Sequence, residues 1–490
     1  MTRNAHDESE VAMLSVTLDR NSPEPLMQQL YRTVRELIIT GRLASGARLP
    51  STRKLSRDLQ VSRTVTLDAF AQLTAEGFVE GRHGSGHFVA SLPISAVGNP
   101  APATERTVDI GDVSIYSEAG VPFDPAWQDV ELFPSQVWAR MLGRGWRRHQ
   151  SDALGRHWAG LPVLREVVAQ HLLALRGIVL TPDQVMITSG HVDAIGLIAA
   201  SLTREREGRV SAWIEDPGLG TTRQALAKGG VDPIPIPVDG EGLMVAEGEL
   251  RAPDSALAVV TPTRQFPLGM PLSLSRRLSL LAWAKGSGAL VVDDDYDGEV
   301  RFSGRPLRSL ASLDRGGRIL TLGSFSKLTF SGLRLGYAAG PADLIGELVA
   351  RRRENYALVP SNVQGALAEF IATGNFARHL RQLRTRLTRR RKILHDALRE
   401  HAGGLVEILG QEAGMHLTVR LTEAVARRAS DVAIAERGRE RGLVLMPLSQ
   451  QYAGEADEQG FFLGYAGWDD ERLVAATVTF VELLREITRE

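Results

Sequence analysis

The sequence predicts an α/β protein in which a small helical head, closed by a β-hairpin, precedes a large domain with a mostly parallel sheet and helices on both faces. Three observations predict this architecture. Residues 20–91 are densely patterned with helices and turns, residues 92–107 are rich in Pro, Ala and small polar residues, and from residue 108 onward short apolar runs alternate with amphipathic segments. We therefore expect a head at 20–91, a linker at 92–107 and a large domain at 108–490.

The head has the element order of a winged helix. Residues 25–40 carry apolar side chains on one helical face. Ser51 and Ser62 are typical N-caps for the two helices that follow them, the second of which ends at Gly77. Residues 78–90 then read as a strand, a Gly-rich tip and another strand.

The large domain repeats a strand followed by a helix. The strand-like segments are 185–190, 210–216, 257–263, 289–296 and 318–327. Each ends in small or polar residues and leads into an amphipathic or polar segment, a pattern typical of a parallel sheet covered on both faces. In such sheets, ligands bind beyond the carboxyl ends of the strands.

The composition excludes several classes of protein. The 490 residues are 43% hydrophobic and 23% charged, as in ordinary globular proteins, and there is no Cys. The chain therefore has no disulfide, thiolate metal ligand or Cys nucleophile. The first fifteen residues are polar and acidic, unlike a secretory signal, and no apolar run is long enough for a membrane helix. We expect a cytoplasmic protein without a membrane partner.

Charge is distributed unevenly along the chain. Residues 20–91 carry ten Lys or Arg and six Asp or Glu, a local net charge of +4, whereas the whole chain carries −1. A basic head on an acidic body indicates a nucleic-acid contact at one end. The alternative is a small docking domain whose arginines are merely solvated.

Several polar residues of the head have the positions of DNA contacts. A recognition helix meets base edges with its first turn, and a glycine-rich wing tip allows close approach to a sugar-phosphate strand. The candidates are Arg48, Ser51, Arg53, Ser62, Arg63, Thr64, Thr66, Arg82, His83, Gly84 and Gly86.

Two short segments of the large domain predict a cofactor site. Asp294 and Tyr296 end one predicted strand, and Lys327 follows another, 33 residues after Asp294. A lysine forms an imine with an aldehyde cofactor, and a carboxylate keeps a pyridinium nitrogen protonated. Asp294 would be that carboxylate, and Tyr296 would donate to the ring oxygen. The triple Asp at 293–295 leaves Mg²⁺ open as an alternative, but no second ligand cluster accompanies it, so we expect no metal.

A phosphate group would need its own contacts near this lysine. Serine hydroxyls, an arginine and the amides at a helix start are suitable groups. The candidates are Ser189, Gly190, His191, Ser324, Ser326 and Arg334.

These motifs resemble two known families. Arg48–Ser51, Val61–Arg63 and Gly84–Val89 resemble the GntR-type winged helix. The large domain, with Asp294–Asp297 and Gly323–Lys327 among its matches, resembles the fold-type I, class I aminotransferases. The whole chain, over about residues 22–485, resembles the MocR subfamily of GntR-type regulators.

The resemblance implies a function and an assembly. It implies pyridoxal 5′-phosphate on Schiff-base Lys327, with Asp294 at the pyridine nitrogen and Tyr296 at the ring oxygen. The phosphate contacts that it implies are Ser189, Ser324, Ser326 and Arg334. It also implies double-stranded operator DNA as a partner, a head-to-tail homodimer and a small-molecule effector, either an amine or amino acid or the cofactor itself. A catalytically active aminotransferase with an accessory DNA-binding head is the alternative.

The sequence departs from the aminotransferase pattern at four places. Leu219 stands where an aromatic residue usually stacks on the ring, Arg264 stands where His is frequent, and residues 154–157 lack the usual Tyr. The arginine that clamps a substrate carboxylate has no counterpart in residues 461–468. Because transamination needs that clamp to orient the substrate, we expect little or no turnover. Arg264 and Arg223 are the candidate effector contacts.

A basic segment at 378–392 remains open to two interpretations. It carries eight Lys or Arg and no acidic residue, with leucines at helical spacing. It is either a solvated face of the large domain or a helix that tracks DNA phosphates, and in the second case it would steepen the salt dependence of binding.

Overall fold

The computed structural model describes residues 16–82, 85–91, 120–148, 156–205, 208–300, 302, 309–314, 316–410 and 413–489. The chain divides into two compact units, Met1–Val113 and Ser114–Glu490. The predicted linker at 92–107 lies outside the described residues, as do His83, Gly84 and residues 154–155, so the predicted domain boundaries stay a prediction.

The first unit is a winged helix built as the sequence predicts. Its elements are α1 (Leu26–Ile39), α2 (Thr52–Asp58), α3 (Arg63–Ala75), β1 (Val79–Arg82) and β2 (Gly86–Val89). Ser51 accepts a hydrogen bond from the Lys54 amide, and Ser62 accepts one from the Val65 amide, so both serines cap their helices. The strands β1 and β2 pair antiparallel.

The core of the head lies between these helices and the hairpin. Leu30 and Val34 of α1 are fully buried, Phe70 of α3 is almost so, and Val79 and Val89 bring the hairpin into the same cluster. The apolar face predicted for residues 25–40 is therefore the buried face.

The second unit contains a main sheet with the strand order β3-β10-β9-β8-β7-β4-β5-β6 among the described residues. The strands are β3 (Val185–Thr188), β4 (Val210–Asp216), β5 (Val231–Asp239), β6 (Gly242–Leu243), β7 (Leu257–Val260), β8 (Leu290–Asp295), β9 (Ile319–Ser324) and β10 (Gly336–Ala339). The adjacent pairs β9-β8, β8-β7, β7-β4 and β4-β5 are parallel. By contrast, β10 is antiparallel to both of its neighbours, and β6 is antiparallel to β5. The predicted mostly parallel sheet is confirmed.

Helices surround this sheet and support a second, smaller one. They are α4 (Ser135–Arg148), α5 (Pro162–Arg176), α6 (His191–Glu205), α7 (Gly220–Lys228), α8 (Val245–Arg251), α9 (Leu274–Ser287), α10 (Ala342–Asn355), α11 (Ser361–Ala372), α12 (Asn375–His401), α13 (Glu423–Ala426), α14 (Asp431–Glu440) and α15 (Asp470–Arg489). The smaller antiparallel sheet has the order β11-β12-β14-β13, with β11 (Val406–Leu409), β12 (His416–Leu421), β13 (Met446–Pro447) and β14 (Gly460–Gly464).

Neighbouring strand residues point to opposite layers of helices. Ile214 and Val292 pack in one cluster with residues of α6, α7 and α10. Trp213 and Val291, one position before each, pack in another cluster with residues of α8 and α9. The sheet is therefore buried on both faces, which explains why its strands read as continuous apolar runs.

Close packing limits the side chains that the sheet accepts. Gly323 of β9 pairs with Tyr337 of β10, and a Cβ on Gly323 would lie 2.2 Å from Cζ of Tyr337. The tyrosine ring thus covers the space that a side chain at position 323 would need.

In the described part of the chain, no helix has the length and apolar character that a membrane crossing requires.

Candidate functional site

The carboxyl ends of β8 and β9 bring the two principal site residues to one edge of the sheet. Asp294 pairs with Leu322 of the parallel strand β9, which ends two residues later at Ser324. Lys327 lies in the short 3-10 turn Ser326–Leu328 that follows. The side-chain amide of Gln128 donates to the Ser326 and Lys327 carbonyls, at 3.0 and 3.3 Å, and so fixes this turn.

Lys327 is exposed to solvent although protein atoms surround its side chain densely, and we call the space around its amine the cleft. This surrounding protein lowers the pKa of its ammonium, while the negative charges of Asp297 and Asp124 oppose the change. A lysine that gives up its proton more readily is a better nucleophile toward a carbonyl carbon.

Asp294 is buried and has an unused acceptor. Its Oδ2 lies 3.0 Å from Nδ1 of His191, but the two atoms are not aligned for a hydrogen bond, and Oδ2 has no hydrogen-bond partner among the described residues. Nε2 of His191 lies 2.8 Å from Oγ1 of Thr222. Burial disfavours the charged imidazole, but the Asp294 carboxylate outweighs it and raises the pKa of His191. A protonated ring nitrogen would satisfy the free oxygen of Asp294.

Tyr296 is held by Arg264. Nη1 of Arg264 donates to the Tyr296 hydroxyl and to Oδ2 of Asp297, both at 3.0 Å, and Nη2 donates to the His416 carbonyl at 2.9 Å. Burial raises the pKa of Asp297 to about 6, against the lowering effect of Arg264. Because both terminal nitrogens of Arg264 serve the protein itself, this arginine is poorly placed to grip an effector carboxylate.

Arg223, the other candidate effector contact, lies on α7. It is half-buried and close enough to Asp216, at the end of β4, to lower the pKa of that carboxyl, which burial raises. The structure leaves Arg223 a candidate by position.

The candidate phosphate contacts meet where β10 begins. Gly336 pairs with Thr188 on one side and Ser324 on the other, so residues 188–190 and 324 lie around it. A Cβ on Gly336 would come within 2.6 Å of the Gly323 carbonyl oxygen and 3.4 Å of Cα of Gly190. Only glycine keeps this approach open.

These candidates differ in how free their polar groups are. The hydroxyls of Ser189 and Ser324 make no hydrogen bond with the described residues, and Arg334 is exposed. The Ser326 hydroxyl, in contrast, accepts from the Leu335 amide at 3.1 Å. The Ser189 amide donates to Asp193, which Arg352 holds at 2.6 Å. Ser189 and Ser324 are therefore the stronger of the predicted contacts.

Two side-chain contacts in this region were not predicted from the sequence. The side chain of His191 turns to Asp294, although its position at a helix start indicated only a phosphate contact through the backbone amide. Arg264 departs from the usual residue at its position, but its pairing with Asp297 and Tyr296 requires the fold to be known. Neither contact leaves a local signal in the sequence.

The head presents most of its predicted DNA contacts to solvent. The exposed ones within the described residues are Arg48, Ser51, Arg53, Ser62, Arg63, Thr64, Arg82 and Gly86. Arg82 lies over the Phe88 ring with its Cζ 4.6 Å from the centroid, which orients it at the wing. His83 and Gly84 lie outside the described residues.

Thr66 is the exception, and its assignment as a DNA contact is wrong. It is 0% exposed, and its hydroxyl donates to the carbonyls of Thr52, at 3.1 Å, and Arg63, at 2.9 Å. Thr66 lies on the inner side of α3, three residues after Arg63, and its hydrogen bond to the Thr52 carbonyl joins α3 to α2. Leu67, which is not among the predicted contacts, is 44% exposed on α3. It is one turn after Arg63, where an apolar side chain can contact a thymine methyl group.

The basic segment 378–392 lies within α12, and several of its cations are used internally. Arg386 and Arg390 donate to Asp129 at 2.7 and 2.8 Å, and Arg389 pairs with Asp470. Arg390 and Arg391 are buried. A phosphate-tracking role stays a prediction, and it now concerns the exposed Arg378 and Arg381.

Metal binding finds no support in the described part of the chain, which contains no group of three or more potential His, Asp or Glu ligands. The three consecutive carboxylates diverge: the Leu310 amide donates to Asp293 at 3.0 Å, Asp294 lies beside His191, and Asp295 pairs with Arg176.

Both units match known families. Residues 26–89 match the bacterial regulatory proteins of the gntR family, and residues 129–472 match aminotransferase class I and II. The chain is similar to the probable rhizopine catabolism regulatory protein MocR of Rhizobium meliloti, with 35% identity, covering 94% of this chain and 93% of that protein. It is also similar to the HTH-type transcriptional regulator TauR of Rhodobacter capsulatus, with 33% identity over 79% and 81% of the two chains.

The large unit also resembles solved enzymes. Kynurenine aminotransferase from Pyrococcus horikoshii, in a crystal structure with PMP, KYN as substrates and KYA as products, is 25% identical to this chain. It aligns with a TM-score of 0.65 over 75% of this chain and 92% of its own.

Proposed function

The chain belongs to the MocR-type regulators, which join a gntR-family head to an aminotransferase class I and II domain. We propose that a small molecule bound near Lys327 changes the affinity of the protein for operator DNA. It is a transcription regulator of the GntR family, and its cofactor is pyridoxal 5′-phosphate. Sensing of an effector is the part that we propose. DNA binding implies that it acts in the cytoplasm, beside the chromosome.

The observation that carries the proposal is the unused, buried oxygen of Asp294 at the same sheet edge as Lys327. When bound, the cofactor supplies an aldehyde carbon that takes an amine and a ring that withdraws electrons. Lys327 would hold the aldehyde end, Asp294 the ring nitrogen, and Tyr296 the ring oxygen. Ser189, Gly190, Ser324 and Arg334 would surround the phosphate.

The neighbouring residues prepare these contacts. His191, itself in contact with Thr222, lies 3.0 Å from Asp294 and so limits the movement of that carboxylate. Arg264 fixes the Tyr296 hydroxyl. These groups orient and polarise a bound cofactor, but they provide no uncommitted cation for a substrate carboxylate. This favours a sensor over an aminotransferase with an accessory head.

The head supports the DNA-binding half of the proposal. Arg63 and Thr64 are exposed on the first turn of α3, and Arg48, Arg53 and Arg82 add exposed cations nearby in the same unit. An effector can change DNA binding only if its affinity differs between two conformations of the protein. We propose that these conformations belong to a head-to-tail homodimer.

Cofactor binding is tested with the purified full-length protein. The protein should show the visible absorbance of bound cofactor, and borohydride reduction should fix the cofactor on the peptide that contains Lys327, identified by mass spectrometry. Lys327→Ala should abolish both signals, whereas Lys228→Ala, at an exposed lysine of the same unit, should change neither. Modification of another lysine would reject the assignment.

DNA binding is tested with duplexes that the protein selects from a random pool. The selected duplexes should bind more tightly than unselected ones at the same salt concentration. Lys327→Ala should retain this binding but lose its response to an effector. Steady turnover of amino donors by the wild-type protein, without any change in DNA affinity, would overturn the sensor in favour of the enzyme.

A further inference from the structure

The small sheet brings a group of aromatic rings toward the site. His416 and Thr418 of β12 pair with Gly464 and Phe462 of β14. The Phe462 ring lies 5.3 Å from that of Phe266 and 5.7 Å from that of His416, and the Phe266 and His416 rings are 5.6 Å apart. All three pairs are edge-to-face, the preferred arrangement of aromatic neighbours. We call Phe266, His416 and Phe462 the aromatic wall.

The aromatic wall borders the cleft at Lys327. The Phe266 ring contacts that of Tyr296, two residues after Asp294, at 6.0 Å, and Phe266 is only partly buried. His416 is close enough to Lys327 and Arg264 for their charges to affect it. A molecule bound beside Lys327 and Tyr296 would therefore meet this wall first at Phe266, with the buried Phe462 and His416 behind it.

The segment that contributes Phe462 to the wall has no arginine. None occurs in residues 461–468, and the buried Phe462 packs its ring against that of Phe266. Arg264, whose charge affects His416, already uses both terminal nitrogens for Asp297, Tyr296 and the His416 carbonyl, and only its buried Nε has no partner among the described residues. A carboxylate against these rings would therefore lose its hydration without gaining a bidentate partner, which is costly.

His416 adds one polar feature to the wall. It is 5% exposed, and its Nε2 has no hydrogen-bond partner among the described residues. Burial and the charges of Arg264 and Lys327 hold the pKa of His416 well below its ordinary value, and its hydrogen bond is to the Pro267 carbonyl. A neutral imidazole that donates from Nδ1 keeps Nε2 as an acceptor.

We propose that the cleft beside Lys327 binds an amine without a carboxylate, whose apolar or aromatic body packs on the aromatic wall and whose second polar group donates to Nε2 of His416. The inference rests on the proposed function and narrows its effector from amines and amino acids in general to this class. Phe462 is the residue that sets the preference.

The test compares amines with the amino acids that differ from them only by a carboxylate. Tyramine and L-tyrosine form one pair, and 2-phenylethylamine and L-phenylalanine form another. Full-length protein loaded with the cofactor is titrated with each compound, and binding is measured by calorimetry and by the change in cofactor absorbance. We expect the amine of a pair to bind about tenfold more tightly or better, since burying the unpaired carboxylate costs at least that much.

Substitutions at Phe462 and His416 sharpen the result. Phe462→Arg should reverse the preference toward the amino acids, whereas Phe462→Leu, which removes the ring without adding a charge, should retain the preference for amines. His416→Phe should weaken the binding of tyramine more than the binding of 2-phenylethylamine, because only tyramine carries a hydroxyl that can donate to Nε2.

The outcomes separate the inference about the effector class from the proposed function. If the cofactor binds at Lys327 but an amino acid binds as tightly as its amine, or none of the four compounds binds, the inference is rejected and the regulator stands. If the cofactor itself fails to bind at Lys327, the proposed function fails first. Retained cofactor absorbance in the Phe462 variants shows that they are folded.

Discussion

Arg63 in the head and Arg264 in the large unit are both candidate ligand contacts, yet their surroundings are opposite. Arg63 is exposed and makes no side-chain hydrogen bond or ion pair with the described residues. Arg264 is 5% exposed and serves Asp297, Tyr296 and the His416 carbonyl. The candidate contact residue in the head is free to bind a partner that arrives from solvent, whereas the charged residues of the cleft are bonded to other protein groups. Substitutions should therefore affect binding in the head and stability in the large unit.

The largest effect is expected from breaking a buried ion pair beneath the site. The side chains of Arg176 and Asp295 are 4% and 8% exposed and pair directly. Arg176→Met should destabilise the large unit by about 3–5 kcal/mol, because it leaves Asp295 charged and unpaired in the interior. All seven tryptophans follow residue 120, so their fluorescence during urea unfolding reports on the large unit.

A matched surface pair provides the control for this variant. Arg209 and Asp232 also form an ion pair, but the arginine is 88% and the aspartate 42% exposed. Arg209→Ala should cost at most about 1 kcal/mol. Equal losses from both variants would contradict the contrast between the interior and the surface.

A buried carboxyl should give the large unit a distinctive pH dependence. Burial and the neighbouring Asp295 raise the pKa of Asp293 from 3.8 to about 7, while the Leu310 amide, Arg277 and Arg176 oppose this. The folded chain then binds a proton that the unfolded chain releases between these two values. This carboxyl therefore stabilises the fold most at low pH, and its contribution falls as pH rises toward 7, by up to about 1.4 kcal/mol per pH unit.

Asp293→Asn isolates this contribution. Asparagine keeps an oxygen for the Leu310 amide but does not ionise. Urea unfolding of both proteins at pH 5, 6 and 7 should show the wild type losing more stability than the variant as pH rises. Parallel curves would indicate that Asp293 titrates normally.

In the head, the expected changes are in DNA affinity. Arg63→Ala should weaken binding to the selected duplexes by about 1–3 kcal/mol, roughly fivefold to 150-fold, if Arg63 contacts a base edge. Fluorescence anisotropy measures the loss, and repeating the duplex selection shows whether one base position becomes relaxed. Hydrogen exchange in peptides from α2 and α3 should match the wild type, which shows that the head is still folded. An equal loss on all sequences would assign Arg63 to phosphate instead.

The smallest and most discriminating effects compare two threonines on one helix. Thr64 is exposed, whereas Thr66 is buried and bonded to Thr52. Thr66→Val should cost the head about 1 kcal/mol through its lost hydrogen bond, whereas Thr64→Val should change stability by less than about 0.5 kcal/mol. Hydrogen exchange in peptides from α2 and α3 reports stability, and anisotropy reports DNA binding, which only Thr64→Val should weaken directly.

These two threonines also mark what sequence reasoning can reach. Helix boundaries, caps and the apolar face of α1 follow from local patterns, and Asp294 and Lys327 follow from their positions at strand ends. The burial of Thr66 depends on a carbonyl fourteen residues away in another helix. The ion pairs of α12 with Asp129 and Asp470 join positions still further apart. Local patterns therefore predict the elements and the edge where they meet, whereas the partner of each polar side chain depends on the tertiary fold.

The ring of Tyr337 over Gly323 has a consequence for how the sheet can vary among descendants of this sequence. A larger residue at position 323 would collide with the ring, so that change is tolerated only in a chain whose Tyr337 has already become smaller. In the reverse order, the intermediate chain would have to move the buried Tyr337 ring to accept the larger residue. The order in which the two positions change therefore matters, and a library that randomises position 323 alone would recover little variation there.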